Sequence, residues 1–176
     1  MSGLLSRAFA AAHIRSALLG SCLIGSVFTT LPFGAGTTTS QSSSNGTYYI
    51  HVQAKDVAGN LSATTTVSAL LDNTAPSVTG LSDSNTPSQS ITWNFGCNEA
   101  SCTYRFIIDQ IQNTSDLSAL AFDSTHTATQ ASGDGTYYIH VQAKDAAGNL
   151  SQITTVSALL DNTAPSVTGL SDSNSP

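Results

Sequence analysis

Charge is what this sequence has least of. Its 176 residues include only five Lys and Arg against eleven Asp and Glu, for a net charge of -6. The five cations form no cluster, so the electrostatic footprint of a nucleic-acid binder is missing. Long apolar runs are missing too. The longest, Ser16–Phe28, falls short of the ~20 residues that cross a bilayer as a helix, so no stable transmembrane span is expected. Three cysteines with no His or Cys pair at ligand spacing exclude a four-ligand zinc site. No Gly-x-Ser-x-Gly, His-Glu-x-x-His, phosphate loop or carboxylate pair on a defined element occurs, so catalysis is not expected.

What fills the space is Ser, Thr and Asn, with few strong helix formers. Thr suits strands, while Ser and Asn suit turns. The composition therefore predicts an all-β, extracellular protein. Residues 1–36 differ from the rest. Arg7 and Arg15 precede the short apolar run, and Gly34-Ala35-Gly36 follows it, the order of a secretory signal. Two other readings stand beside it: the interior of a longer chain, and a lipoprotein signal ending at Cys22, against which the apolar run continues to Val27.

Residues 46–85 and 135–174 are almost the same sequence, 89 residues apart. They differ only at Val57/Ala146, Ala63/Gln152 and Thr64/Ile153. A period near 90 is too long for a solenoid turn and matches one small sandwich domain. Upstream of Gly46 the similarity fades by about Thr37. The chain then divides into a leader (1–36), the C-terminal part of a first repeat (37–74), one complete repeat (75–162) and the start of a third (163–176).

Within the complete repeat, strand-like stretches alternate with turn signals: Ser77–Leu81, Ser90–Phe95, Thr103–Ile108, a Thr-rich stretch to Gln130, Thr136–Lys144 and Leu150–Leu160. In Thr136–Lys144 the residues Tyr137, Ile139, Val141 and Ala143 face one way. Tyr138, His140, Gln142 and Lys144 face the other. About seven strands predict an immunoglobulin-like antiparallel β-sandwich. Asp134-Gly135-Thr136-Tyr137 resembles the tyrosine corner of such sandwiches. Trp93 lies on the second strand, not the third, which excludes an antibody-type domain. The set Gly-Thr-Tyr-Tyr, Ala-Lys-Asp-x-Ala-Gly-Asn and Leu-Asp-Asn-Thr-Ala-Pro resembles the bacterial Ig-like tandem repeats of large surface proteins and adhesins. That resemblance implies a stalk or spacer module, sometimes adhesive, with no catalytic site; it does not fix a ligand.

Cys97 and Cys102 flank a four-residue loop between the second and third strands, and in an exported protein they are expected to form a disulfide. The topology also places Glu99 and Asp145 in loops at the pole where the chain enters, with Asp72 and Asn73 in the entering linker. This oxygen-rich set suits Ca²⁺ at an inter-repeat junction, and loosely resembles the calcium-linked junctions of cadherins. The alternative is plain turn chemistry: Asp145 and Asn149 are good turn residues, and Asp72-Asn73 can end a strand before Pro76. His51 and His140 are read as solvated, and Tyr48 and Tyr138 as pointing outward beside them. Asn45, Asn60, Asn113 and Asn149 begin Asn-x-Ser/Thr sequons. Two functions remain: a spacer in a cell-surface array whose partners are neighbouring repeats, or a module binding host glycan or protein through pole loops or the aromatic strand face.

Overall fold

The computed structural model describes residues 13–20, 32–35, 38–42 and 44–171, with backbone alone for 13–20. Cys22, most of the leader and the last five residues lie outside this range. Among the described residues every regular element is a strand, and the chain divides into two compact units, 1–74 and 75–176.

The first unit holds β1 (His13–Gly20), β2 (Gly46–Lys55) and β3 (Thr65–Leu71), an antiparallel sheet in the order β1-β2-β3. The second holds β4 (Val78–Thr79), β5 (Ser84–Ser88), β6 (Ile91–Asn94), β7 (Gly96–Cys97), β8 (Thr103–Asp109), β9 (Thr127–Gln130), β10 (Gly135–Lys144) and β11 (Thr154–Leu160). One sheet runs β5-β11-β10-β8. The other is built of the pairs β4-β7 and β6-β9, with β6 and β7 separated only by Phe95. The entering segment thus changes sheets. β4 pairs with β7, while β5 crosses over and runs parallel to β11, Ala158 opposite Ser84. Two sheets, antiparallel except for this edge crossover, are an Ig-like β-sandwich.

The core lies between the sheets. Trp93, Phe95 and Ala128 come from one side; Tyr104, Ile139, Val141, Ala143, Ala158 and Leu160 come from the other. Phe95 meets Tyr104 and Phe106 edge-on, with ring centroids 5.4 and 5.5 Å away. Full burial of an aliphatic side chain such as Ile139 stabilises by about 1.5–3 kcal/mol. The Tyr137 hydroxyl packs directly over Gly133, whose φ of 87° lies in the left-handed region.

The duplicated sequence makes the same hairpin twice. Gly46 opposes Leu71 and Gly135 opposes Leu160, and the pairing stays in step along both ladders. The turns match as well. The Asn60 amide donates to Asp56 Oδ1 at 2.7 Å, and the Asn149 amide to Asp145 Oδ1 at 2.8 Å. The open ends are clamped alike: the Asn73 amide donates to Asn45 Oδ1, and the Asn162 amide to Asp134 Oδ1. These bonds link residues close along one hairpin, so the segment carries its own register.

The flanks differ. β1 lies on β2 as β8 lies on β10, with Arg15 opposite Gln53 and Arg105 opposite Gln142. Phe33 receives the Lys55 ammonium over its ring, as Phe122, 89 residues on, receives Lys144. Counterparts of the second unit therefore continue upstream of Thr37, where sequence similarity fades.

Candidate functional site

Asp145 opens the β10–β11 turn and is buried. Its Oδ1 accepts the amides of Gly148 and Asn149, and its Oδ2 accepts the Asn149 side-chain amide at 2.8 Å. Burial pushes this carboxyl up, but those bonds together outweigh it and hold the group below the usual carboxylate range. Glu99 lies in the loop closed by the Cys97–Cys102 disulfide, half-buried, with its carboxylate within 4.8 Å of that of Asp145. Two carboxylates this close make an electronegative spot at the pole of the second unit, although Ca²⁺ takes six to eight oxygens.

Asp72 and Asn73 belong to the first unit. Asp72 Oδ1 accepts the Thr74 amide at 3.0 Å, and the Asn73 side-chain amide donates to the Ser44 carbonyl at 3.3 Å. Asn73 closes the β2–β3 hairpin, and Asp72 holds the turn of the chain just beyond β3. Their counterparts Asp161 and Asn162 do the same for β10–β11.

The outer face of β10 departs from the sequence reading. His140 is not solvated; it is fully buried. Nδ1 lies 2.8 Å from Thr155 Oγ1, and Nε2 lies 2.9 Å from the Ile111 carbonyl oxygen. A carbonyl only accepts, so Nε2 carries a proton. The segment after β8 folds over this face, buries its own Leu117, and caps the imidazole. His51, the counterpart of His140, meets the equivalent threonine, with Nδ1 2.7 Å from Thr66 Oγ1, but it is half-buried where His140 is sealed. Tyr48 is corrected likewise. Its counterpart is the corner residue Tyr137, and it lines a groove with Ile50, while the residue matching Tyr138 is Tyr49, 39% exposed.

The same overlying segment walls an open groove of about 530 Å³ on the outside of the sandwich. Tyr138, Gln112, Asn113, Asp83, Thr155 and Ser157 line it. The Tyr138 ring lies nearly parallel to the His140 imidazole, with centroids 6.3 Å apart. Sequence reasoning singled out Tyr138 but missed the groove, because nothing in residues 110–115 signals that they return across β10.

No family model and no curated protein matches this chain. Among solved structures, it is similar to one described as "Structures of Clostridium thermocellum CbhA fibronectin(III)-like modules". The identity is 14%, the TM-score is 0.40, and the match covers 88% of this chain and 80% of that one.

Proposed function

We propose that this chain is a spacer module of an extracellular tandem array, of the kind that bacterial Ig-like surface repeats form. The observation that carries this reading is the duplicated segment 46–74 and 135–163, which forms the same hairpin and turn in both units and is closed alike, by Asn73 on Asn45 and by Asn162 on Asp134. A segment that carries its own register can be copied along a chain without redesign. The disulfide supports an oxidising location. Among the described residues no helix is long and apolar enough to cross a membrane. β1 lies within the leader, so signal cleavage after Gly36 would remove it. Mass spectrometry of the exported N-terminus tells whether β1 survives export.

The spacer reading is tested by single-molecule pulling. Each 75–162 repeat is expected to unfold in one step that releases about 300 Å of contour length. Gradual extension with no such step would refute it.

A binding function is the second reading, and the groove beside Tyr138 favours it. An oriented aromatic ring among amide and hydroxyl groups suits a neutral sugar. A glycan array probed with the intact chain and with Tyr138→Ala decides between the two readings. Ca²⁺ held by Asp72, Asn73, Glu99 and Asp145 is a further proposal, supported by the Glu99–Asp145 carboxylate pair. Millimolar Ca²⁺ is expected to raise the melting temperature of the intact chain and not that of Glu99→Gln; no shift in either would end the proposal.

A further inference from the structure

An asparagine side chain is attacked by the next backbone nitrogen most easily when glycine follows, because no Cβ obstructs the five-membered ring that forms. The sequence contains one Asn-Gly pair, Asn45-Gly46, at the entry to β2. Asn45 is exposed, and a Cβ added at Gly46 would meet nothing within 4 Å. The ring therefore has room to close. Gly46 also has a φ of 132°, a conformation that residues with a side chain rarely adopt, so glycine is held at this position by the turn itself.

The clamp at the open end of the hairpin engages both polar atoms of this side-chain amide. The Asn73 backbone amide donates to Asn45 Oδ1 at 2.7 Å, and Asn45 Nδ2 donates to Thr74 Oγ1. An N–H aimed at Oδ1 draws electrons from Cγ and stabilises the negative charge that attack places on that oxygen, as an oxyanion hole does. Thr74 meets the nitrogen that must leave. In the second unit the corresponding pair is Asp134-Gly135, the sequence that hydrolysis of the amide produces. There Oδ1 accepts the Asn162 amide at 2.5 Å, and Oδ2 accepts the Thr163 hydroxyl at 2.6 Å. One clamp design thus holds the amide in the first unit and the acid in the second.

We propose that Asn45 is a site of self-promoted deamidation, which turns the first clamp into the acidic form of the second. The Gly46 nitrogen gives its proton to water and attacks Cγ, while the Asn73 N–H stabilises the oxyanion at Oδ1. With Cγ tetrahedral, Nδ2 has a free lone pair. It takes the Thr74 hydroxyl proton and leaves as ammonia, and water restores the hydroxyl. Water then adds to the resulting succinimide. Opening at Cγ returns a proton to the Gly46 nitrogen and leaves aspartate at position 45, which the clamp holds as it holds Asp134, through charge-assisted hydrogen bonds. Opening at the main-chain carbonyl leaves isoaspartate, whose extra backbone methylene shifts β2 against β3. This chemistry is independent of the spacer reading, since it needs only the first hairpin.

The intact chain, kept folded at mildly alkaline pH in isotopically labelled water, should take up one labelled oxygen, which peptide mapping by mass spectrometry places at residue 45. Asn60, Asn98 and Asn113, each followed by a larger residue, should stay intact. The rate should exceed that of the same chain unfolded in urea by about tenfold, since a positioned proton donor commonly contributes more than that. Thr74→Val should bring the rate down to the unfolded value, and Thr74→Ser should restore it. Asn45→Asp, which installs the product directly, should melt no lower than the parent chain at neutral pH. An intact Asn45 in the folded chain, a folded rate no greater than the unfolded one, a rate indifferent to Thr74→Val, or a lower melting temperature in Asn45→Asp would each overturn the proposal.

Discussion

Replacing His140 with Ala measures how much the overlying segment contributes to the sandwich. The imidazole has no solvent exposure, and it bridges Thr155 on β11 to the Ile111 carbonyl. Losing two hydrogen bonds of about 0.5–1.5 kcal/mol each would cost about 1–3 kcal/mol, and the cavity left behind adds to this. A destabilisation of about 2–4 kcal/mol is expected, roughly 10–25 °C in melting temperature for a domain of this size. Trp93 is the single tryptophan and is buried in the second unit, so its emission in a urea titration follows that unit alone. His51→Ala is the internal control. It removes a half-buried ring hydrogen-bonded to Thr66 in the first unit and should leave the Trp93 transition in place. A Trp93 transition shifted by less than about 1 kcal/mol in His140→Ala would refute the reasoning. So would an equal shift in His51→Ala.

Gly133→Ser forces a side chain into the Tyr137 hydroxyl at a left-handed φ, and should destabilise the second unit by about 2–4 kcal/mol in the same titration. The reverse exchange, Ser44→Gly at the corresponding position (φ 69°), should be neutral or slightly stabilising by whole-chain calorimetry. Reducing Cys97–Cys102 should cost about 2 kcal/mol, because so short a loop restricts the unfolded chain little; limited proteolysis should then cut near Glu99 first. Acid should also destabilise. Asp83 is held below the usual carboxylate range by the Ser157 amide and then its hydroxyl, and Asp134 by the Thr163 side chain and then the Asn162 amide. These groups bind protons more readily unfolded, so their stabilisation is complete above the ordinary aspartate pKa near 4 and fades below it. Urea midpoints at pH 7 and pH 3 should differ, and less so in Asp83→Asn.

Strand alternation separated the two faces of Thr136–Lys144 correctly, but alternation does not say which faces are covered. Ile139 and Val141 were legible as core because a sandwich must bury one face. The burial of His140 was not, because it depends on residues 110–117, which have no periodic pattern and cross β10 only in three dimensions. The disulfide could be read because Cys97 and Cys102 flank a tight turn between two strand-like stretches, which folds the chain back and brings their Cα atoms to 6.5 Å. The parallel β5–β11 pairing escaped notice for the opposite reason: it joins residues about 74 apart, and Ser84–Ser88 contains a proline and only small polar side chains otherwise. Glu99 and Asp145 come within 4.8 Å of one another because both loops are short and start from neighbouring strands.

The repeated hairpin separates what a sequence carries locally from what it borrows. Over Gly46–Leu71 and Gly135–Leu160 nearly the same residues meet different neighbours, which makes the chain its own control. Register and turn are the same in both copies, so they follow from the segment: a left-handed Gly at the strand entry, and Asp and Asn across the turn. The clamp is alike in form only, since Asn73 and Asn162 donate to different residues, Asn45 and Asp134, that lie just before the segment. Burial is not shared. Leu160 is sealed and Leu71 is not, though both end identical strands, because Trp93, Phe95 and the crossover segment are contributed from elsewhere. The hairpin is therefore a portable half of a sandwich, and its stability depends on which second half it meets.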